Sequence, residues 1–170
     1  MVGELRGDFN AINENLLIIQ EQILNNEKIC KLLEYETSDP LSKDPLKDPY
    51  KLVNDRKVNT FPYIHQKTED KISFVNVFAS YVNKAYDNPK SRKINISVIV
   101  VSHSDIWNTR HGLRPILIMS EIDDIVNGSK ALQSIGKVDF EFARPVEINR
   151  VFYGYEIMYS FTGFNNYKRN

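Results

Sequence analysis

KISFVNVFASYVNKAYDNPKSRKINISVIVV, residues 71–101, is the stretch on which the fold turns. Ile94, Ile96, Val98 and Val100 recur at every second position, the period of a β-strand that hides one face. The run from Lys71 to Val82 alternates too, directing Ile72, Phe74, Phe78 and Val82 to one face and Val75, Val77, Ala79 and Tyr81 to the other. Both faces are partly apolar. Between the two runs, Asp87 to Arg92 reads DNPKSR and supplies turn chemistry. An antiparallel hairpin is therefore predicted.

Working outward, KVNTFPYI (57–64) reads as a short edge strand, where the missing N–H of Pro62 is tolerated. After the hairpin, Pro115 suits the first turn of a helix whose inner side carries Ile118, Ile122, Ile125 and Val126, ended by Asn127-Gly128. GKVDFEFARPVEI (136–148) alternates through Val138, Phe140 and Phe142. In RVFYGYEIMYSF (150–161) Val151, Tyr153, Tyr155, Ile157, Tyr159 and Phe161 share one side, an aromatic face that needs a large packing partner. Towards the N-terminus, Phe9, Ile12, Leu16, Ile19 and Ile23 form the stripe of an amphipathic helix with Asp8 as its N-cap. Asn25-Asn26 interrupts the stripe, and Ile29, Leu32 and Leu33 resume it to about Tyr35. The order is α, α, loop, β, β, β, α, β, β. It predicts an α+β fold, with N-terminal helices and one central helix packed on a mostly antiparallel sheet of about five strands. One domain is expected: helices over about 8–35, an extended loop over about 37–56, the sheet with its inserted helix over about 57–163, and a short tail, 164–170.

A chain of 170 residues, 42% hydrophobic and 26% charged, can bury a core without staples. Its 22 basic and 22 acidic residues cancel, which removes the basic excess that marks phosphate contacts, so no sequence-specific nucleic-acid partner is expected. Cys30 is the only cysteine; a disulfide framework and a multi-thiolate zinc site are excluded. It reads as a small core residue in a reducing compartment. No secretory leader pattern opens the chain, and no apolar run approaches the roughly 20 residues that span a bilayer, so no membrane partner is expected.

The densest chemistry lies in VVSHSDIWNTRHGLRPILIMSEIDD, residues 100–124. A catalytic reading would use His103 or His111 as base, Asp105 to orient it and Arg114 to hold an anion. No nucleophile or second carboxylate is spaced to complete a recognised constellation. His65, His103 and His111 with Asp105 or Asp124 lack metal-ligand spacing. Glu121, Asp123 and Asp124 raise the alternative of a metal-dependent nuclease, but Glu121 and Asp124 fall on the polar side of their helix, where a solvated face explains them. No catalytic, cofactor or metal residue is therefore expected. LRGD (5–8) is a tripeptide easily matched by chance, and neither a phosphate loop nor an RNA-binding sheet motif is present.

SDPLSKDPLKDPYK (38–51) repeats Asp-Pro at 39–40, 44–45 and 48–49, which blocks regular helix and makes a long, semi-stiff loop. Leu41, Leu46, Tyr50 and Leu52 could anchor it on a neighbouring subunit. With the loop, the segment from Ser104 to Arg114 forms the second candidate patch: Asp105, Trp107, Arg110 and Arg114 are its contact residues, with Trp107 either an anchor or a cap on the core. A small adaptor that binds a partner through an open sheet edge is the remaining alternative.

ASYVNKAYDNPKSRKINISVIVVSHSDIWNTRHGLRPILIMSEIDDIVNG (79–128), SIGKVDFEFARPVEI (134–148), FYGYEIMYSF (152–161) and LLEYETSDPLS (32–42) together resemble the neck proteins of tailed bacteriophages, more narrowly the tail-terminator or tail-completion proteins. The resemblance spans roughly residues 30–163. It implies a virion protein assembled in the host cytoplasm, a homo-oligomeric, hexameric ring closing the head-facing end of the tail, and DNA passing through it. The implied neighbours are the tail tube protein, the head-side connector protein and, in a contractile tail, the sheath protein.

Overall fold

The alternating runs become strands of one sheet in the computed structural model, which describes residues 9–85, 91–129 and 135–164. In chain order the strands are β1 (Val58–Asn59), β2 (Ser73–Lys84), β3 (Ser91–His103), a small ribbon of β4 (Asn108–Thr109) and β5 (Gly112–Leu113), then β6 (Ile135–Glu147) and β7 (Phe152–Phe164). The main sheet is ordered β1-β2-β3-β7-β6, antiparallel throughout except that β1 runs parallel to β2. The helices are α1 (Phe9–Asn25), α2 (Glu27–Glu34), the single turn α3 (Lys51–Asn54) and α4 (Arg114–Val126). The fold is α+β. Because β3 and β6 both oppose β7, they are parallel to each other; α4 connects them and β7 returns between them, a split β-α-β unit.

Ile12, Ile19 and Ile23 of α1, Ile29, Leu32 and Leu33 of α2, and Ile118, Ile122 and Val126 of α4 close over Val75, Val77, Ile96, Val98 and Val100. Asn26 explains the interruption between the first two helices. Its Oδ1 accepts the Ile29 N–H at 3.0 Å, capping α2, while its Nδ2 donates to Glu121 of α4 at 3.0 Å. Cys30 is a core residue, its thiol 3.2 Å from the Leu24 carbonyl and pushed up to about 11 by burial.

Two expectations about the strands change, and one about the loop. A bulge between Ala79 and Tyr81 inserts one residue into β2, so Val82 rejoins Val75, Val77 and Ala79 beneath the helices and Tyr81 turns out to solvent. A one-residue shift exchanges the faces of everything beyond it. The 57–64 strand shrinks to Val58–Asn59, and Pro62 lies past its end. The Asp-Pro loop contains the turn of α3. The Asp8 cap, LRGD, the 86–90 part of the hairpin turn and the tail beyond 164 lie outside the described residues.

Among the described residues, no helix covers the other face of the sheet. At one end Phe74, Val101 and Phe152 form a small cluster beneath Tyr63 and His65. Further along, the nearly buried Glu156 accepts from Ser97 Oγ at 2.6 Å and from Arg144 Nε and Nη2 at 2.7 and 2.6 Å. Arg144→Ala strands that carboxylate with one neutral donor and should lower stability by about 1–2 kcal/mol, since the guanidinium is largely solvated; urea unfolding reads the loss.

Candidate interaction surface

Arg114 organises the 100–124 stretch from within. Its side chain is fully buried at the start of α4, where Nε donates to the Ile106 carbonyl at 2.8 Å, Nη1 to Leu32 and Tyr35 at 2.6 and 2.8 Å, and Nη2 to Thr37 at 2.7 Å. Burial pushes the guanidinium down to about 10, so it is charged at neutral pH and lies against the carbonyl end of α2. One side chain thus ties together α2, the entry to the Asp-Pro loop and the 3-10 turn Ser104–Ile106. The contact role expected for Arg114 is corrected: the side chain is fully buried and its guanidinium is spent on carbonyls of its own chain. Nothing in GLRPIL distinguishes such a residue from a solvated arginine.

The other selected residues stay nearer the surface. Asp105 is exposed and paired with Lys71 at 3.0 Å, whose hydrogen bond holds the carboxyl below the usual carboxylate range. Its backbone N–H, rather than its carboxylate, meets His103, donating to Nδ1 at 3.1 Å; Nε2–H of that ring then donates to the Thr68 carbonyl at 3.0 Å. So Asp105 does not orient His103 through its carboxylate. His111 lies 3.0 Å and Arg110 3.6 Å from Asp39, and the Arg110 N–H donates to the Ser38 carbonyl. The two candidate patches therefore touch, the β4–β5 ribbon being clasped to the Asp-Pro loop. Leu41 and Leu46 pack on their own core and Leu52 is fully buried, which leaves Tyr50 as the exposed apolar residue of that set.

Trp107 is half-buried, its ring 6.4 Å from Tyr155. It lines an open cleft of about 620 Å³ with Ser104, Pro145, Tyr153, Gly154 and Tyr155. The cleft adjoins β6, the strand that sequence reasoning did not single out. The helices pack chiefly on β2, β3 and β7; they reach β6 at Val138, which is fully buried in the core and whose carbonyl accepts the Gly128 N–H at 2.8 Å. β6 is a 13-residue outer strand with Phe140 47% and Phe142 40% exposed, and with Pro145, a residue that central strands rarely carry. Its edge position follows from the crossover through α4, which periodicity does not encode.

The acidic residues of α4 diverge. Glu121 is half-buried against α2, bonded to Lys28 at 2.8 Å as well as to Asn26, rather than lying on a solvated face; Asp123 accepts the Tyr159 hydroxyl at 2.9 Å; Asp124 is exposed. His65 sits between Tyr63 and Asp70, 2.9 Å from each. Several carboxylates lie below their usual range. For Glu34 burial pushes upward, but hydrogen bonds from Lys51 and Lys57 outweigh it; for Asp39 the hydrogen bond from His111 leads. A carboxyl whose folded value lies below its unfolded one contributes stability above the unfolded value and loses it as pH falls through the folded one. The unfolding free energy should be level above about pH 5 and decline below about pH 4, with a shallower decline in Glu34→Gln, as read from urea midpoints across that range.

A model of the YomW family matches residues 26–161. The chain belongs to the YomW family. YomW is the name of a phage-derived, SPbeta-type protein, which makes this a phage-associated chain. The YomW match runs from the cap of α2 to within β7, and so includes the Arg114 clamp, the Trp107 cleft and β6. Among curated proteins, nothing matches the chain.

Proposed function

We propose that this YomW-family chain is a structural virion protein, a subunit of the ring at the head-proximal end of a phage tail. It is a tail terminator or closely related neck component that works by interlocking copies and not by catalysis. The observation that carries the reading is β6: an outer strand with no further strand beside it among the described residues, flanked by exposed Phe140 and Phe142 and by the Trp107 cleft, on a subunit whose helices pack chiefly on β2, β3 and β7. An exposed edge of this length in a free subunit invites another chain, and natural proteins ordinarily cover or blunt such edges. The histidines and most acids of the candidate patches hydrogen-bond within their own chain, which suits a rigid building block. The resemblance supplies the remainder: six copies, a tail tube protein below, a head-side connector above, a sheath protein where the tail contracts, and DNA passing through.

Negative-stain microscopy of the purified chain, alone and beside tail tubes, tests this. Rings or capped tube ends are expected; a monomer at high concentration that also ignores tail tubes would overturn the reading. Magnesium- or manganese-dependent nuclease activity abolished by Asp124→Ala would replace it with an enzymatic one. Trp107→Ala should weaken ring closure while leaving the circular dichroism spectrum unchanged; loss of the spectrum would assign Trp107 to the fold instead.

A further inference from the structure

The four long strands alternate in direction along β2, β3, β7 and β6, so the strands at the two sides of the sheet, β2 and β6, run opposite ways. β1 pairs with β2 only at Val75 and Asn76, and from Val77 to Lys84 the outer side of β2 has no strand partner among the described residues. A second copy set beside the first in the same orientation therefore brings its β2 antiparallel to β6, a polarity in which a full ladder forms. β6 offers Asp139 to Arg144, between the Val138 carbonyl, which already accepts the Gly128 N–H at 2.8 Å, and Pro145, which removes a donor.

Exposed apolar residues match on both faces. On the helix side β6 presents Phe140 beyond the last helix, while α1 packs on β2 at the opposite side of the subunit and exposes Leu17 to 48%. On the bare side the bulge turns Tyr81 of β2 outward, 62% exposed, and β6 presents Phe142 on that same side, beside Met158. We propose that β6 of one copy pairs with the Val77–Lys84 segment of β2 in the next, which lays the neighbour's α1 over Phe140 and sets Tyr81 against Phe142. The contact joins two different edges, so it is head-to-tail, and it generates a closed ring when the rotation per copy divides a full turn. This inference rests on the ring reading above and adds its geometry: one continuous sheet running from subunit to subunit.

Two single-substitution chains, Tyr81→Cys and Phe142→Cys, separate the possibilities when oxidised separately and as a mixture; buried Cys30 is present in both. A disulfide is expected in the mixture alone, and the double variant should give a ladder of cross-linked multimers on non-reducing gels. Phe140→Lys should weaken assembly at least about tenfold with its thermal midpoint unchanged. Rings that form without the mixed disulfide and tolerate Phe140→Lys would overturn the edge pairing and leave the ring reading standing. Cross-links within either single variant would indicate a two-fold interface and overturn it as well. Absence of any ring, alone or on tail tubes, would remove both.

Discussion

Arg114→Met lowers the unfolding free energy by about 4 kcal/mol, and with it the thermal midpoint by about 10 °C. The substitution keeps most of the buried volume but removes the donors that serve the carbonyls of Ile106, Leu32, Tyr35 and Thr37. Water cannot replace them without opening the subunit, and a buried acceptor without a partner costs about 1–3 kcal/mol. Arg114→Lys recovers less than half of the loss, because an ammonium acts from one point whereas the guanidinium fork reaches three chain segments. Urea unfolding followed by Trp107 fluorescence reads both variants. Stability of Arg114→Met within about 1 kcal/mol of the parent would show that the clamp is dispensable.

Gly154→Ala should abolish soluble folding or cost at least about 3 kcal/mol. Gly154 sits in β7, between β3 and β6, where a Cβ would overlap the Val100 carbonyl oxygen and approach Val101 Cα to 2.9 Å. Both obstacles are backbone, so relief requires β3 and β7 to separate at the centre of the sheet. Gly163→Ala, on the same strand, is the control. Its Cβ meets the Ile94 Cδ1 at 2.7 Å, the end of a side chain that can rotate away, and the loss should stay near 1 kcal/mol. Equal solubility and equal midpoints for the two variants would refute the close approach at Gly154.

Much of the architecture was legible in local pattern. The stripes of α1, α2 and α4 and the alternation of β3 and β7 fall within a few residues of the structural boundaries, because burying one face imposes a period that neighbouring residues share. Asn26 was legible as a break and became a cap. The β2 bulge was not, since a single inserted residue leaves both halves of the strand alternating correctly. Of the contact residues, Trp107 was found because one tryptophan in a polar connection is conspicuous, and it does border the cleft.

By itself, then, the sequence determined the elements, their order, the buried cysteine and the α+β class, all of which depend on residues a few positions apart. Tertiary structure alone decided that Arg114 faces inward, that Glu121 serves α2, and that β6 ends as the outer strand beside the Trp107 cleft. Arg114 meets a carbonyl 82 residues away, and β6 is outermost only because β7 returns between it and β3. Contacts of that kind are set by how the chain doubles back on itself, and a one-dimensional pattern carries no record of which distant segments will be brought together.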